Sequence, residues 1–408
     1  MRHVAFVVPF VFETSVRFLR AVLALPDVAV SIISRDPIER FPEDIRQLAD
    51  AYEQVADPLD ADHLVKAVQR LARRYPAPER LLGVLEQLQE PLAIARQRLG
   101  LPGMSPTTAT NFRDKSVMKD RLRAAGLPCA QSLLGKSVAE VTEAVSRIGL
   151  PVVIKPPDGA GAMGTFRING MGQLTQALAA LRPSPASPVL VEQFLTGREH
   201  SYDSVCVNGQ VLWSSVSDYS PTPLTVLENP WIQWCVLLPR TIDVPAYEDI
   251  RRIGPAALKA LGMDTGLAHM EWFRLPDGSA AISEVGARPP GAQFVSLMSW
   301  AHDTDMYAAW ARLVVLDAFE APQRPYAAGA AYFRGQGSGK IKAIHGLDAA
   351  QRELGSLVVQ TSLPRPGKTS AKTYEGDGFA ILRHPDTEVV RKGLQRLISL
   401  VHVEVEPS

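Results

Sequence analysis

Two glutamates in one apolar part of the sequence have the spacing of a cation site. Glu271 and Glu284 lie in alternating runs on either side of residues 276–278, Pro-Asp-Gly, which predicts a β-hairpin. Adjacent strands can direct both carboxylates to one face, where they repel each other unless a cation lies between them. Mg²⁺ is bound through one or two carboxylates together with substrate phosphates, which fits two glutamates and a nucleotide. The alternative, two outward-facing glutamates, is disfavoured by their apolar neighbours: Ala268, Met270, Trp272, Ile282 and Val285.

A guanidinium follows the second glutamate. In ISEVGARPPGAQ, residues 282–293, Arg288 comes four residues after Glu284, and two prolines and a glycine then end the apolar run. Gly286 and Ala287 between the charged residues are small, which leaves room for bound groups at the end of the strand. We therefore expect Arg288 to lie at the edge of the same site.

A lysine and a glycine-rich loop form a second candidate group. Lys155 ends the apolar strand at 151–156, and a buried lysine is costly unless a negative group meets it. A phosphate is such a group, and the alternative is a lysine that extends from the strand end into water. In the loop 157–165 that follows, three glycines let backbone N–H groups approach an anion: Gly159, Gly161 and Gly164. Such loops also serve as plain turns, and no Gly-Lys-Ser/Thr appears, so this is not a Walker loop.

The stretch VEQFLTGREHSYD, residues 191–203, has the composition of a base and ribose site. A ring with donors and acceptors could pair with the backbone of Gln193, Phe194 and Leu195 at the end of the strand that carries Glu192. Glu199, beyond the turn at Gly197, is then available to a sugar hydroxyl. The alternative is a strand, a turn and solvated acids, which is the commoner meaning of such a string.

The elements that must position these residues fall into two kinds. Residues 3–105 alternate between apolar strands and helical patterns, which predicts a small parallel sheet with helices on both faces. No GxGxxG follows its first strand, so a dinucleotide site is unsupported there. A Pro/Gly-containing segment at 101–110 marks a boundary, after which a helix closes at Gly126.

The second kind of element is a set of antiparallel strands. After the linker 182–188, two alternating runs meet at Asn208-Gly209, a hairpin signal, and the Glu271–Glu284 hairpin follows, so we expect an antiparallel sheet within 196–290. Helical patterns cover 247–261 and 303–318. The predicted organisation is an N-terminal α/β part, a glycine-loop subdomain, an antiparallel catalytic part and a C-terminal α+β segment, bounded as 1–105, 106–195, 196–320 and 321–408.

Composition narrows the function classes. The 408 residues are 46% hydrophobic, and 43 basic residues balance 43 acidic ones, so neither nucleic acid nor an acidic membrane is an expected partner. Three cysteines without CxxC spacing argue against a disulfide framework and a zinc site, which favours the reducing cytoplasm: Cys129, Cys206 and Cys235. The apolar N-terminus is interrupted by Pro9 and ended by Glu13, which favours strand, turn and helix over a signal peptide.

The order of the motifs resembles the ATP-grasp superfamily. Lys115 comes first, then VVIKP with its glycine loop, VEQFLTGREHS, HMEWF and SEVGARPPG. These motifs span roughly 105–320, and the similarity is greatest to the carboxylate–amine ligase branch, which includes amino-acid ligases. The resemblance implies an α/β fold with a small parallel domain in front, a glycine-loop lid and an antiparallel C-terminal domain.

The resemblance also implies roles for individual residues. Lys115 and Lys155 would contact ATP phosphates, under a flap formed by residues 158–164. Glu192 would face the adenine amino group, the backbone of 193–195 would complete the base contacts, and Glu199 would hold the ribose. Glu271 and Glu284 would bridge Mg²⁺, with Mn²⁺ as an alternative metal. Arg288 would hold the γ-phosphate or an acyl phosphate, and Lys155 would share in catalysis.

The sequence departs from the family at one metal position. Two residues after the second metal glutamate the family usually has asparagine, and here Gly286 occupies that position. A water molecule or a second contact from Glu284 could substitute. The number of metal ions is therefore open.

The resemblance implies ATP-dependent joining of a small carboxylate to an amine, through an acyl phosphate and with release of ADP. The alternatives are a bicarbonate-using carboxylase of the same fold and a non-catalytic ATP-binding protein. Small molecules are the expected partners, with a homodimer as the expected assembly. Residues 217–239 supply either a substrate wall with Trp231 and Trp234 or a packed loop whose tryptophans belong to the core.

Overall fold

The structure is a computed structural model that describes residues 1–159, 164–229, 232–337 and 339–406. Within these ranges, no helix is long and apolar enough to cross a membrane. The chain forms mixed α/β architecture with one parallel sheet and three sheets whose pairings are antiparallel. The predicted fold class is therefore confirmed.

The N-terminal part is a four-stranded parallel sheet with strand order β3-β2-β1-β4. Side chains of β1 alternate between two cores, with Val4 and Phe6 facing helix α1 and Ala5 and Val7 facing α3 and α4. Helices on both faces bear out the predicted βαβ pattern, which had missed β3 and the short α2. The strands are Arg2–Val8 (β1), Val28–Ser34 (β2), Ala51–Gln54 (β3) and Arg80–Leu82 (β4), and the helices are Glu13–Leu23 (α1), Glu43–Leu48 (α2), Ala61–Ala72 (α3) and Gln89–Leu99 (α4).

A second, small antiparallel sheet has the order β5-β8-β6-β7 and carries Lys155 and Glu192 on neighbouring strands. Its apolar face packs against two helices and includes Val141, Ile154 and Leu174. The strands are Ser132–Gly135 (β5), Val152–Lys155 (β6), Phe166–Ile168 (β7) and Val189–Gln193 (β8). The preceding and intervening helices are Pro106–Arg113 (α5), Lys115–Ala124 (α6), Val138–Ile148 (α7) and Met171–Leu181 (α8).

An eight-stranded sheet dominates the rest of the chain, with strand order β13-β12-β9-β10-β11-β14-β17-β16. Both predicted hairpins are confirmed, and Asn208 and Gly209 turn the first one with positive φ angles of 50° and 76°. The strands of its first part are Arg198–Val207 (β9), Gln210–Ser220 (β10), Trp234–Leu238 (β11), Gly266–Arg274 (β12) and Ala280–Gly286 (β13). The helices are Pro223–Glu228 (α9), Glu248–Leu261 (α10), Phe294–His302 (α11) and Met306–Leu316 (α12).

The helical prediction for 303–318 was wrong at its start. Asp303 has a positive φ of 49° and ends α11, and the carboxylate of Asp305 then caps a separate helix, α12. The apolar residues Phe294–Ala301 thus form a helix that the sequence analysis did not assign.

The eight-stranded sheet extends beyond the predicted limit at residue 290. Ala327–Phe333 (β14) is buried along its whole length and pairs with β11 on one side and Gly378–His384 (β17) on the other. The remaining elements are Ile341–His345 (β15), Leu347–Leu354 (α13), Val358–Ser362 (β16), Thr387–Leu400 (α14) and His402–Val405 (β18). The last 80 or so residues therefore complete a sheet begun near residue 198.

Candidate active site

The two metal-site glutamates are direct neighbours across two strands. Glu271 of β12 and Glu284 of β13 are register partners, so their side chains leave the sheet on one face. Both line a cavity of about 400 Å³ and keep about a third of their side-chain surface exposed to it. The predicted juxtaposition of the carboxylates is thus present in the fold.

Lys115 brings a positive charge to this pair from the first turn of α6. Its Nζ lies 3.0 Å from Oε1 of Glu284 and donates a hydrogen bond of 2.6 Å to the carbonyl of Gly159. Burial alone would raise the pKa of Glu284, but Lys115 and then Lys155 lower it, so the carboxylate is ionised. Lys115 therefore connects the catalytic hairpin to the start of the glycine-rich loop.

Lys155 and Glu192 form a buried ion pair between β6 and β8. Nζ of Lys155 lies 2.6 Å from Oε2 of Glu192, and Nζ of a second lysine, Lys119, lies 3.0 Å from Oε1. Burial tends to raise the pKa of Glu192, but the two lysines hold it at about 2. Oε1 nevertheless has no aligned hydrogen-bond donor among the described residues, so an acceptor remains for a bound amino group.

Lys119 was missed by the sequence analysis. It is fully buried, and its Nζ also donates to the carbonyl of Ser283 at 2.8 Å. The sequence did contain one indication of its role. Lys119 comes four residues after Lys115 on one helix, which places both lysines on one face. Lys119 thereby connects β8 of the small sheet to β13 of the large sheet.

The predicted base-binding stretch borders the same cavity through Gln193, Phe194 and Leu195. The amides of Gln193 and Phe194 already donate to the carbonyls of Gln131 and Pro151, at 2.8 and 3.2 Å. In the described part of the chain, the Leu195 amide has no such acceptor. The donor open to a ring nitrogen in this stretch is therefore that of Leu195.

Glu199 lies on β9 opposite Phe273 and lines the cavity while only 7% exposed. Burial, and next the nearby Glu271, raise its pKa well above the usual range of a glutamate. The raised pKa makes the protonated form more accessible than in an ordinary glutamate, and a protonated carboxyl can donate a hydrogen bond as well as accept one.

Arg288 enters the cavity immediately after β13 and is fixed by a residue that the sequence analysis missed. Its Nε donates to the carboxylate of Glu86, and one terminal nitrogen donates to the carbonyl of Pro289 at 2.9 Å. Glu86 begins a short 3₁₀ turn beyond β4, at the carboxyl edge of the parallel sheet, where α/β folds bind ligands. The N-terminal part thus contributes a side chain to the cavity.

Gly286 lies beside that carboxylate. A Cβ placed on it would be 3.6 Å from Oε2 of Glu86, which is ordinary van der Waals contact. Space for a small side chain therefore exists where the resemblance expects asparagine, and the oxygen nearest to that space belongs to Glu86.

His269 connects the cavity to a buried acid. Its Nδ1 lies 2.6 Å from Oδ1 of Asp203, and its Nε2 lies 3.8 Å from Glu271 and 3.5 Å from the hydroxyl of Tyr219. Burial opposes the charged ring, but Asp203 and then Glu271 raise the pKa of His269 to about 9. The ring is thus a cation behind the glutamate pair.

Aromatic side chains form the remaining wall. Trp234 is 1% exposed, and its ring packs against those of Tyr219, Phe294 and Tyr374 at centroid distances of 5.4, 6.3 and 4.9 Å. All four line the cavity, so Trp234 is at once a core residue and a wall residue. Trp231 lies outside the described residues.

The glycine-rich loop is described only at its ends. Gly159 lines the cavity, and Gly164 has a φ of 67°, which glycine adopts without strain. Gly161 lies outside the described residues. Among those that are described, no three His, Cys, Asp or Glu side chains cluster as a metal site, so a metal would rely on the two glutamates and on ligand oxygens.

Comparison with known proteins agrees with this geometry. Residues 120–300 match the ATP-grasp domain. The L-arginine-specific L-amino acid ligase of Bacillus subtilis is 26% identical over 202 residues, which is 48% of this chain and 48% of that protein. The match thus spans about half the length of this curated relative.

Two solved structures have the fold of the whole chain. The L-amino acid ligase from Bacillus licheniformis superposes with a TM-score of 0.80 at 19% identity, covering 100% of this chain and 99% of that one. The N5-carboxyaminoimidazole ribonucleotide synthetase from Thermotoga maritima has a TM-score of 0.73 at 19% identity and covers 100% of both chains.

Proposed function

We propose that the chain, whose residues 120–300 match the ATP-grasp domain, is an ADP-forming carboxylate–amine ligase of the ATP-grasp superfamily. One observation carries the proposal. Two register-paired glutamates, two lysines from separate elements and one arginine surround a single cavity. Fixed cations of this kind neutralise a transferring phosphoryl group, and no protein nucleophile is required.

The cavity fits ATP along its length. Oε1 of Glu192, which has Lys119 nearby but no aligned hydrogen-bond donor among the described residues, would accept from the adenine amino group. The Leu195 amide would donate to the ring, and Glu199 would bind the ribose. Lys115 and Lys155 would contact the phosphates, with Gly159, Gly161 and Gly164 in the loop above them. Glu192 therefore serves both as a base contact and as the anion that positions Lys155.

Mg²⁺, or Mn²⁺ in its place, would be held by Glu271 and Glu284 together with phosphate oxygens. The ionised state of Glu284 suits a cation, and bound metal would compete with Lys115 for that carboxylate. When bound, the metal supplies further neutralisation of phosphate charge.

The proposed chemistry has two steps. An oxygen of the substrate carboxylate attacks the γ-phosphorus, the bond to the β-phosphate oxygen breaks, and an acyl phosphate and ADP result. The amine then attacks the acyl carbon, phosphate leaves, and the amine proton is transferred to the departing phosphate. Arg288, oriented by Glu86, would hold the transferred group through both steps, with Lys155 beside it.

The aromatic wall supports an amino-acid-sized acid with an apolar side chain. Tyr219, Trp234, Phe294 and Tyr374 would enclose that side chain on the side of the cavity near His269. A bicarbonate-using carboxylase needs no such wall, because its acid has no side chain. A non-catalytic binding protein would have no chemical use for the arginine and the glutamate pair.

The setting of the enzyme is also part of the proposal. We propose small-molecule partners, a homodimer and a cytoplasmic location, where the free thiols of Cys129, Cys206 and Cys235 would stay reduced. The four parts predicted from the sequence, 1–105, 106–195, 196–320 and 321–408, are retained as proposed segments, of which the last two share the eight-stranded sheet.

A screen of ADP release over pairs of carboxylates and amines tests the function, with each product identified by mass. We expect ADP, phosphate and an amide in equal amounts for at least one pair that includes an apolar amino acid. Release that requires bicarbonate would identify the carboxylase instead. Nucleotide binding without release for any pair would favour the non-catalytic protein.

A further inference from the structure

A second cavity, of about 560 Å³, lies on the face of the large sheet opposite the nucleotide cavity. Consecutive residues of a strand point to opposite faces, so Arg198 and His200 flank Glu199 on β9 but point away from it. On β12, Trp272 and Arg274 line the second cavity, whereas Glu271 and Phe273 line the first. The two cavities share strands and no lining residue.

Three arginines give the second cavity its charge. Arg198 and Arg274 are register partners, and Arg391 of α14 is also part of the lining. Asp249 neutralises Arg274 through both carboxylate oxygens. Nε of Arg391 pairs with Glu388 at 3.0 Å and a terminal nitrogen lies 3.5 Å from Asp218, whereas no carboxylate of the described ranges pairs with the exposed Arg198.

Asp218, a carboxylate that lines this cavity, already has partners at both of its oxygens. Oδ1 of Asp218 accepts from Tyr247 at 2.9 Å and lies 2.9 Å from Nδ1 of His200, and its other oxygen faces Arg391. Asp218 therefore offers little to a bound cation. Among the described residues that line this cavity, the arginine without a carboxylate partner is therefore Arg198.

Two buried nitrogen atoms of the lining residues lack partners in the described structure. They are Nε2 of His200, a residue 5% exposed, and Nε1 of Trp272, a residue that is fully buried. The two rings stack with their centroids 4.5 Å apart. Nδ1 of His200 faces the carboxylate of Asp218, so Nε2 is the ring nitrogen that is left without a partner in the described structure.

We propose that this second cavity is a binding site for a small oxyanion, a phosphate or carboxylate group held by Arg198, Arg391 and His200. Guanidinium groups bind both kinds of anion in the same planar geometry, so the structure assigns their shared chemistry. The site is distinct from the nucleotide cavity and does not depend on the ligase activity.

Calorimetric titration of the full chain in excess ADP tests the proposal, since ADP fills the base, ribose and diphosphate positions of the first cavity, and the variants distinguish the second cavity from the positions that ADP leaves open. Inorganic phosphate and succinate are titrated separately, to distinguish a phosphate group from a carboxylate. We expect one of them to bind with a Kd on the order of 1 mM. Arg198→Ala and Arg391→Ala should each weaken that binding about tenfold, as loss of a charge-assisted hydrogen bond predicts.

Arg352→Ala is the matched control, because Arg352 is an exposed arginine on α13 that is not part of the second cavity. Circular dichroism establishes that each variant is folded. Failure of both anions to bind the wild type would overturn the proposal. Binding that is equally strong in all three variants would overturn it too.

Discussion

Two glutamates of the nucleotide cavity have opposite electrostatic environments. Burial disfavours the ionised form of both, yet Lys119 and Lys155 hold the pKa of Glu192 at about 2. Glu199 lacks such partners, and burial together with Glu271 raises its pKa. One carboxylate is therefore a fixed anion that organises lysines, and the other is more readily protonated and suited to a hydroxyl.

Glu284→Gln should abolish turnover while leaving the fold intact. The amide keeps the size of the side chain but loses the charge that pairs with Lys115 and that would bind metal. We expect ADP release to fall roughly 100-fold or more, the range found when one transition-state contact is removed. Steady-state kinetics with Mg²⁺ measures this.

Glu320→Gln, an exposed change outside the cavity, is the control for Glu284→Gln and should behave as wild type. Turnover by Glu284→Gln at the wild-type rate would show that the role assigned to Glu284 is wrong.

Glu86→Gln should lower kcat by roughly tenfold, as loss of a supporting contact commonly does. The reason is that Arg288 loses the carboxylate that orients its guanidinium. The KM for ATP should change little, because Glu86 pairs with Arg288 and makes no hydrogen bond to the proposed base-binding stretch in the described structure. Glu79→Gln, an exposed change just before β4, is the matched control.

A double-mutant cycle distinguishes positioning from a general effect of Glu86. If Glu86 acts through Arg288, then Glu86→Gln should add little to the loss caused by Arg288→Ala. Additive losses would mean that Glu86 acts independently of Arg288.

At the scale of elements, the segment that leads into β14 is fixed by one half-buried arginine. Nε of Arg324 donates to Nε2 of His302 at 3.2 Å, and a terminal nitrogen donates to the carbonyl of Pro239 at 2.7 Å. Nδ1 of His302 lies 2.8 Å from the carbonyl of Gln323. The end of α11 is thereby joined to the strands that support the aromatic wall.

His302 should make stability fall in acid. Burial, and next Arg324, lower its pKa from 6.5 to about 4, so the unfolded chain binds the proton more tightly. The contribution is fully present above pH 6.5 and is lost as the pH falls towards 4, for a total of about 3 kcal/mol. Between these pH values, the melting temperature should therefore fall more steeply with decreasing pH for the wild type than for His302→Gln. The exposed His402→Gln should retain the wild-type slope, and parallel curves for all three proteins would contradict the assignment.

At the scale of the molecule, local patterns in the sequence predicted local structure well. Asn208-Gly209 and Pro276-Asp277-Gly278 define hairpins because their backbone preferences act within a few residues, and register then brings Glu271 to Glu284. Glu86 and Lys119 could not be found in this way. Their roles depend on contacts 202 and 164 residues away in the chain, which no local pattern encodes.

The same distinction explains why the C-terminal part was the least well predicted. Strand β14 pairs with β11 across some 90 residues of sequence, and β17 and β16 then add to β14 in turn, so only the folded sheet reveals these pairings. Tyr374, which lies between two of these strands, completes the aromatic wall begun by Tyr219 and Trp234. The cavity is thus assembled from every part of the chain.

A chain that ends at Glu320 should therefore fail to fold as a stable unit. It would lose β14, whose seven residues are all buried, and leave the apolar strand β11 as an unpaired edge. We expect aggregation or the absence of a cooperative melting transition, measured by light scattering and circular dichroism, whereas a chain ending at Glu406 should melt as the full chain does. Cooperative melting of the shorter chain near the full-length temperature would show that residues 321–408 are a separable unit. In that case, the aromatic wall would not depend on the last strands of the sheet.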